Sequence, residues 1–103
     1  MKFEEFKKIT SEYQGNLIGN MFQNFNTFVY EQEEDGKVVK KKKQILSTIT
    51  LKEDGSLIAE ESTYNVIGGT REIKSNCNEN CLRQMLKEYN FKLKSGYQLS
   101  LFL

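Results

Sequence analysis

Residues 34–39 read Glu-Asp-Gly-Lys-Val-Val, and residues 53–58 repeat the pattern as Glu-Asp-Gly-Ser-Leu-Ile. Each stretch centres on Asp-Gly, the dipeptide that supplies the positive φ angles of a tight hairpin turn. Gly68 and Gly69 indicate a third turn further along the chain. Three turns predict a meander of antiparallel strands over roughly residues 26–34, 37–52, 56–67 and 70–75.

The strand that follows the first turn has a regular alternation of apolar residues. Ile45, Ile49 and Leu51 fall two or four residues apart, so their side chains point to one face of the strand. Ser47 lies on the same face and, as a polar residue, interrupts its apolar pattern. We therefore expect one face of this strand to be buried in the core.

A helix is predicted before the strands. Gly15 would end it, since glycine commonly follows the last turn of a helix. Its apolar stripe, at three- and four-residue steps, consists of Phe3, Phe6, Ile9 and Tyr13.

Residues 16–26 are ambiguous. Five apolar positions match a helical stripe, but Gly19 and four asparagines oppose a stable helix. Glycine loses entropy in a helix, and asparagine competes for backbone hydrogen bonds. The pattern favours a short helical or irregular segment, followed by a strand from about Asn26.

A second helix is predicted after the strands. Asn76 precedes Glu79 by three residues, which approximates a capping box at the start of the helix. Asn90 closes the helix at its other end. The apolar stripe consists of Leu82, Met85, Leu86 and Tyr89.

These elements predict an α+β fold with an N-terminal helix, three to four antiparallel strands, a second helix and a C-terminal extended segment. With 103 residues, the chain has the length of a single domain, which we place at residues 1–96. Residues 97–103 are an extended peptide or a last strand. The second helix opens with Asn-Cys-Asn-Glu-Asn at residues 76–80. The order of elements resembles that of double-stranded-RNA-binding domains, but this opening lacks their lysine cluster, so the resemblance covers topology alone.

The composition narrows the range of functions. The net charge is +1, far below that of most small nucleic-acid binders, so weak or no direct binding to nucleic acid is expected. The chain has no His, which excludes Ser-His and Cys-His catalytic pairs and His-ligated metals. We expect no enzyme, no catalytic residue, no cofactor and no metal. The absence of a signal peptide or a long apolar run predicts a cytoplasmic protein without a membrane partner.

Cys77 and Cys81 fall four residues apart within the predicted second helix. A disulfide is poorly oriented at that helical spacing, and two ligands cannot close a tetrahedral zinc site. We therefore expect two reduced thiols, with Cys77 reactive at the helix end and Cys81 turned toward the core.

The sharpest charge feature is a lysine run that could contact phosphate or an acidic protein surface. If Asp35-Gly36 is a two-residue turn, Glu34 faces Lys37 and Glu31 faces Lys40, so the opposite charges neutralise one another. Consecutive residues also point to opposite faces of a strand. A solvated ribbon that discourages aggregation is therefore favoured over a binding surface. The run consists of Lys37, Lys40, Lys41, Lys42 and Lys43.

Four aromatic residues surround the start of the first long strand. They could stack on bases between the basic residues. Core packing is favoured, because a chain without Trp needs its Phe residues inside. These residues are Phe22, Phe25, Phe28 and Tyr30.

The C-terminal residues Gln98, Leu99, Ser100, Leu101 and Phe102 form the most informative motif. All five resemble the peptide by which bacterial polymerases, repair proteins and some plasmid or phage initiators dock on the replicative sliding clamp. The resemblance implies that Leu101 and Phe102 fill an apolar pocket, that Leu99 fills a neighbouring one, and that Gln98 makes hydrogen bonds. A short extended peptide gains its affinity from such buried anchors.

The same segment also alternates as a strand does, with Tyr97, Leu99, Leu101 and Leu103 on one side. Both interpretations of the tail stay open. The function expected is a non-enzymatic protein–protein interaction module that tethers to, or competes for, the bacterial sliding clamp. The alternative is a small phage or mobile-element protein that inhibits a host enzyme or defence complex through its charged sheet. A weak RNA- or DNA-binding module is a third class.

Overall fold

The computed structural model describes residues 1–63 and 69–95. This part of the chain has the predicted α+β architecture, with one helix before a five-stranded antiparallel sheet and one after it. The strands follow one another in the sheet in chain order. The helices are α1 (Phe3–Thr10) and α2 (Glu79–Glu88), and the strands are β1 (Asn16–Ile18), β2 (Met21–Glu34), β3 (Lys37–Leu51), β4 (Leu57–Thr63) and β5 (Gly69–Lys74).

The turn between β2 and β3 is the predicted two-residue hairpin. Asp35 and Gly36 have φ angles of 51° and 77°, and Glu34 lies directly opposite Lys37. A turn with positive φ at both central residues matches the right-handed twist of the strands that it joins. The Asp-Gly dipeptide therefore fixed the register of the whole β2–β3 pair.

The second Asp-Gly turn is one residue longer than the first. The Lys52 N–H donates to the Ser56 carbonyl, which leaves a three-residue loop with Gly55 at a φ of 86°. Within this loop, the Asp54 carboxylate accepts hydrogen bonds from both the backbone N–H and the hydroxyl of Ser56. The third predicted turn includes Gly68, which lies outside the described residues.

The interpretation of residues 16–26 as helical or irregular is wrong. These residues contain a β hairpin, in which Ile18 lies opposite Met21 and Gly19 has a φ of 61° in the turn. The Asn20 side chain donates to the Leu51 carbonyl at 2.6 Å, which fixes the turn to the end of β3. The Asn20 side chain thus bonds to a backbone carbonyl group, as asparagine side chains commonly do in turns.

The core lies between the two helices and one face of the sheet, which we call the inner face. The predicted alternation on β3 is confirmed, since Ile45, Ser47, Ile49 and Leu51 are all buried. From α1, Phe6 and Ile9 enter the core, whereas Phe3 is partly exposed. From α2, the predicted stripe is buried throughout, namely Leu82, Met85, Leu86 and Tyr89.

Both helices are shorter than their apolar patterns. α1 ends at Thr10, ahead of Gly15, and Tyr13 lies beyond it in a short bridge to Leu93. The N-cap of α2 is Asn78 and not the predicted Asn76, because the Asn78 side chain accepts the Cys81 N–H at 2.9 Å. Asn90 follows α2 with a φ of 64°, as a residue that ends a helix commonly does.

The segment after α2 packs back on the domain. The Phe91 ring stacks on the Phe22 ring with their centroids 5.1 Å apart. The Gln14 N–H donates to the Lys92 carbonyl, and the Lys94 N–H donates to the Glu12 carbonyl. The predicted C-terminal peptide, residues 97–103, lies outside the described part of the chain.

Candidate interaction surfaces

β2 and β3 continue well past the rest of the sheet. β4 pairs with β3 only over the residues from Ile45 to Leu51, and β1 pairs only with residues 21–23 of β2. Within the described part of the chain, residues 27–44 therefore pair only with one another as a two-stranded hairpin, which we call the arm. A two-stranded hairpin alone is at best marginally stable in water, so the arm depends on the domain to which it is joined.

The predicted charge pairing in the arm is confirmed. Glu34 lies opposite Lys37, and Glu31 lies opposite Lys40. Glu34 also forms an ion pair with Lys41, and this hydrogen bond and charge raise the pKa of the Lys41 ammonium. The β2 strand of the arm is therefore acidic and the β3 strand basic, with each strand compensating the other.

The lysine run is divided between the two faces of the arm. On β3, Lys37, Lys41 and Lys43 lie on the same side as the buried residues of the inner face. Lys40 and Lys42 lie on the opposite side. The Lys43 ammonium lies 6.0 Å from the centre of the Tyr30 ring. The run therefore presents no single basic surface of five lysines.

Three of the four aromatic residues assigned to the core are in fact exposed. Only Phe22 is buried, and it stacks on Phe91. Phe28 and Tyr30 lie on the arm, beyond the reach of the helices, and Phe25 points away from them. The prediction failed because it took aromatic content as a measure of the core without knowing how far β2 extends.

The sheet face opposite the helices, which we call the outer face, carries many apolar side chains. Cross-strand partners share a face, so Met21 beside Ile18, Phe25 beside Leu46, and Ile58 beside Ile73 all belong to it. Phe25 and Val29 are each 61% exposed, Ile18 is 59% exposed and Ile73 is 56% exposed. Ile58 is only 8% exposed, but the exposed apolar side chains on this one face are numerous enough to indicate an interaction surface.

The prediction of two free thiols is wrong. Cys77 and Cys81 are joined by a disulfide, with their Cα atoms 5.2 Å apart. The prediction placed both cysteines inside a helix, but α2 begins at Glu79, so Cys77 lies before it. Outside the helix, the backbone at Cys77 can turn its side chain toward Cys81, which the fixed orientation of a helical pair prevents.

The expected order of cysteine exposure is also reversed. Cys77 was expected to be the accessible thiol, yet it is 4% exposed and its sulfur contacts the Met85 sulfur at 3.9 Å. Cys81 is only partly buried. The disulfide therefore joins the first turn of α2 to Cys77, which is buried in the core.

A polar cluster joins α2 to the turn after α1. The Arg83 guanidinium donates to the Glu12 carboxylate at 2.9 Å and also pairs with Glu79. Burial opposes its charge, but the bonds to Glu12 and Tyr13 outweigh that effect and raise the pKa of Arg83. Because its guanidinium is already paired, we assign this cluster a structural role.

Across residues 1–63 and 69–95, no group of three or more potential metal ligands comes together. No helix in the described part of the chain is long and apolar enough to cross a membrane.

The comparisons with known proteins identify no relative. No family model matches the chain, and no curated protein or solved structure is significantly similar to it. The C-terminal motif and the surfaces described above are therefore the features that bear on function.

Proposed function

We propose that this protein is a non-enzymatic interaction module whose C-terminal peptide binds the replicative sliding clamp of bacteria. The observation that carries the proposal is the five-residue match from Gln98 to Phe102. Two adjacent apolar anchors, Leu101 and Phe102, are what a short peptide needs to gain affinity in a groove. The proposal implies that the protein tethers to the clamp or competes with its other ligands.

The surroundings of the peptide support this proposal. Its last described neighbours, Lys94 and Ser95, are exposed at the domain surface. A peptide that continues from the surface can reach a groove on a partner without disturbing the domain. Among the described residues, Phe91 and Leu93 are the most C-terminal ones that pack in the core.

The proposed partner also sets the proposed location. Sliding clamps act on DNA in the cytoplasm, so we place this protein there. That compartment keeps most protein thiols reduced. The proposal therefore requires the domain to fold and bind with Cys77 and Cys81 in either redox state.

Titration calorimetry with a purified bacterial clamp tests the proposal. We expect the full chain to bind and the double variant L101A/F102A to lose binding, because both anchors of the peptide are removed. The matched control is V38A/V39A, which also shortens two apolar side chains but does so on the arm. Equal affinity of L101A/F102A and the unmodified chain would overturn the proposal, as would a failure of the unmodified chain to bind.

A second candidate function is favoured by the arm. Its acidic and basic strands and its exposed aromatic residues form a protruding surface that could inhibit a host enzyme or defence complex. In that case K41E/K43E would weaken inhibition, and L101A/F102A would leave it unchanged. If L101A/F102A loses function and K41E/K43E does not, the results favour the sliding clamp as the partner.

A further inference from the structure

We propose that the outer face of the sheet is a dimer interface, on which a second copy of this chain packs face to face. The inference concerns a surface separate from the C-terminal peptide. It rests on the size of the outer face, on its neutral apolar centre and on the charge pattern of the arm.

The first argument is that the overlapping part of the outer face is large enough for a dimer interface. At a strand spacing of about 4.8 Å and a rise of about 3.3 Å per residue, the outer face of β1 to β4, with the arm included, has a projected area of roughly 600 Å². β5 lies outside the overlap in the two-fold arrangement described below. The accessible area of a face covered by side chains exceeds its projection. A standard protein interface takes about 800 Å² from each partner, so this face is large enough for a specific dimer.

The second argument is that the charges within the sheet body are already compensated. On the outer face, Glu60 lies directly opposite Arg71, and their side-chain charges approach to 3.9 Å. The side chains between this pair and β1 are apolar or uncharged, among them Phe25, Leu46 and Thr48. A neutral surface that combines apolar and uncharged polar side chains is suited to an equally neutral one, which a second copy supplies.

The third argument is the charge pattern of the arm. On its outer face, β2 presents Val29, Glu31 and Glu33, and β3 presents Val38, Lys40 and Lys42. Consider a two-fold axis that runs parallel to the strands, between β2 and β3. It places the acidic strand of one arm over the basic strand of the other, so each interchain contact occurs twice.

The same pattern opposes one alternative two-fold arrangement. An axis perpendicular to the strands that crosses the arm at Gln32 would place β2 over β2, so that Glu31 meets Glu33 of the second copy. Like charges brought together across an interface are unfavourable. The arm therefore favours the parallel axis, with the sheets aligned at the small angle usual for face-to-face packing.

Sedimentation equilibrium tests the apolar part of the interface. We expect the unmodified chain to reach twice the 12.0 kDa mass of one chain as its concentration rises. The variant F25E should remain monomeric, because it places one carboxylate from each copy over the apolar Leu46 side chain of the other. The control F28E introduces the same charge on the inner side of the arm and should still dimerise. Circular dichroism confirms that each variant is folded.

A charge-swap pair tests the orientation. K40E/K42E makes the outer face of the arm wholly acidic, and E31K/E33K makes it wholly basic, so each variant alone should lose dimerisation. Mixed together, the two should form a heterodimer. K41E/K43E changes the charge by the same amount on the inner side of the arm, and it should neither lose its own dimer nor pair preferentially with E31K/E33K.

Three results would overturn the inference. The first is an unmodified chain that remains monomeric at all concentrations, which would mean that another occupant, such as residues 97–103 or a different protein, covers the outer face. The second is a dimer that F25E leaves intact. The third is a charge-swap mixture that stays monomeric.

Discussion

Glu31 lies directly opposite Lys40 at the middle of the arm, with their side chains on the outer face of the hairpin. The neighbouring pairs on that face, Val29 with Lys42 and Val38 with Glu33, each combine one apolar and one charged residue. This arrangement keeps the hairpin charged along both strands and nearly neutral as a whole. Charged side chains along exposed strands also discourage unspecific edge pairing, which an arm of this length would otherwise invite.

The double variant L101A/F102A should leave the thermal midpoint of unfolding nearly unchanged. The proposed function assigns these residues to a partner and not to the core. The variant L86A is the sensitivity control, because Leu86 is fully buried and its truncation should cost about 2–5 kcal/mol. A midpoint that drops by several degrees in L101A/F102A would instead assign the tail to the domain as a last strand.

The variant S47A should stabilise the protein. The Ser47 side chain is fully buried, and its hydroxyl has no hydrogen-bond partner among the described residues. Leaving such a group unpaired costs about 1–3 kcal/mol, and removing the hydroxyl creates little empty space. Urea unfolding measures the change, with S62A on the exposed side of β4 as the control. A loss of stability in S47A would show that the hydroxyl has a partner.

Ser47 lies on the buried face of β3, as the periodicity of the sequence predicted. The alternation on β3 and the Asp-Gly dipeptides predicted the strands, the first turn and its register, because all of these depend on neighbours in the chain. The hairpin at Gly19 and Asn20 was missed, although Gly-Asn is itself a hairpin signal. There the apolar residues matched a helical stripe as well as a strand, and the contact of Asn20 with Leu51 that decides between them is long-range.

Reduction should lower the stability of the domain. The disulfide between Cys77 and Cys81 closes a loop of five residues, which stabilises the folded state by about 2 kcal/mol in the chain-entropy model. Thermal unfolding with and without dithiothreitol measures this contribution. The variant C77S/C81S is the control, since its midpoint should not respond to the reductant. An equal midpoint of the unmodified chain in both conditions would contradict the prediction.

Acid should destabilise the unmodified chain more steeply than D54N. Hydrogen bonds from the Ser56 hydroxyl and N–H lower the pKa of Asp54 below its ordinary value of 3.8. A carboxyl group with a lowered pKa stabilises the folded state above its unfolded pKa, and that contribution disappears as the pH falls through the lowered value. The two midpoints should therefore converge below about pH 4.

The hydroxyl of Ser56 can be tested separately from the Asp54 carboxyl group. A second variant, S56A, removes the hydroxyl donor and keeps the Asp54 carboxyl group, so its midpoint should fall less steeply with pH than that of the unmodified chain. If the thermal midpoints of D54N and the unmodified chain fall in parallel as the pH decreases, the hydrogen bonds from Ser56 do not contribute to stability.

The surfaces were harder to predict than the fold. The charge pairing of the arm followed from its turn, because the register fixes which residues lie opposite one another. The exposed outer face did not follow, since Phe25 was assigned to the core, and its exposure depends on which side of the sheet the helices cover. The disulfide was missed for a similar reason: one cap, Asn78 and not Asn76, places Cys77 outside the helix.

The most direct test of the central claim is the affinity of a synthetic peptide covering residues 97–103 for a purified bacterial sliding clamp. The account predicts a dissociation constant near the micromolar range, or a binding free energy of about −8 kcal/mol. It also predicts that the full chain binds with similar affinity and competes with the peptide for one site. A peptide that shows no binding at concentrations far above micromolar would contradict the account.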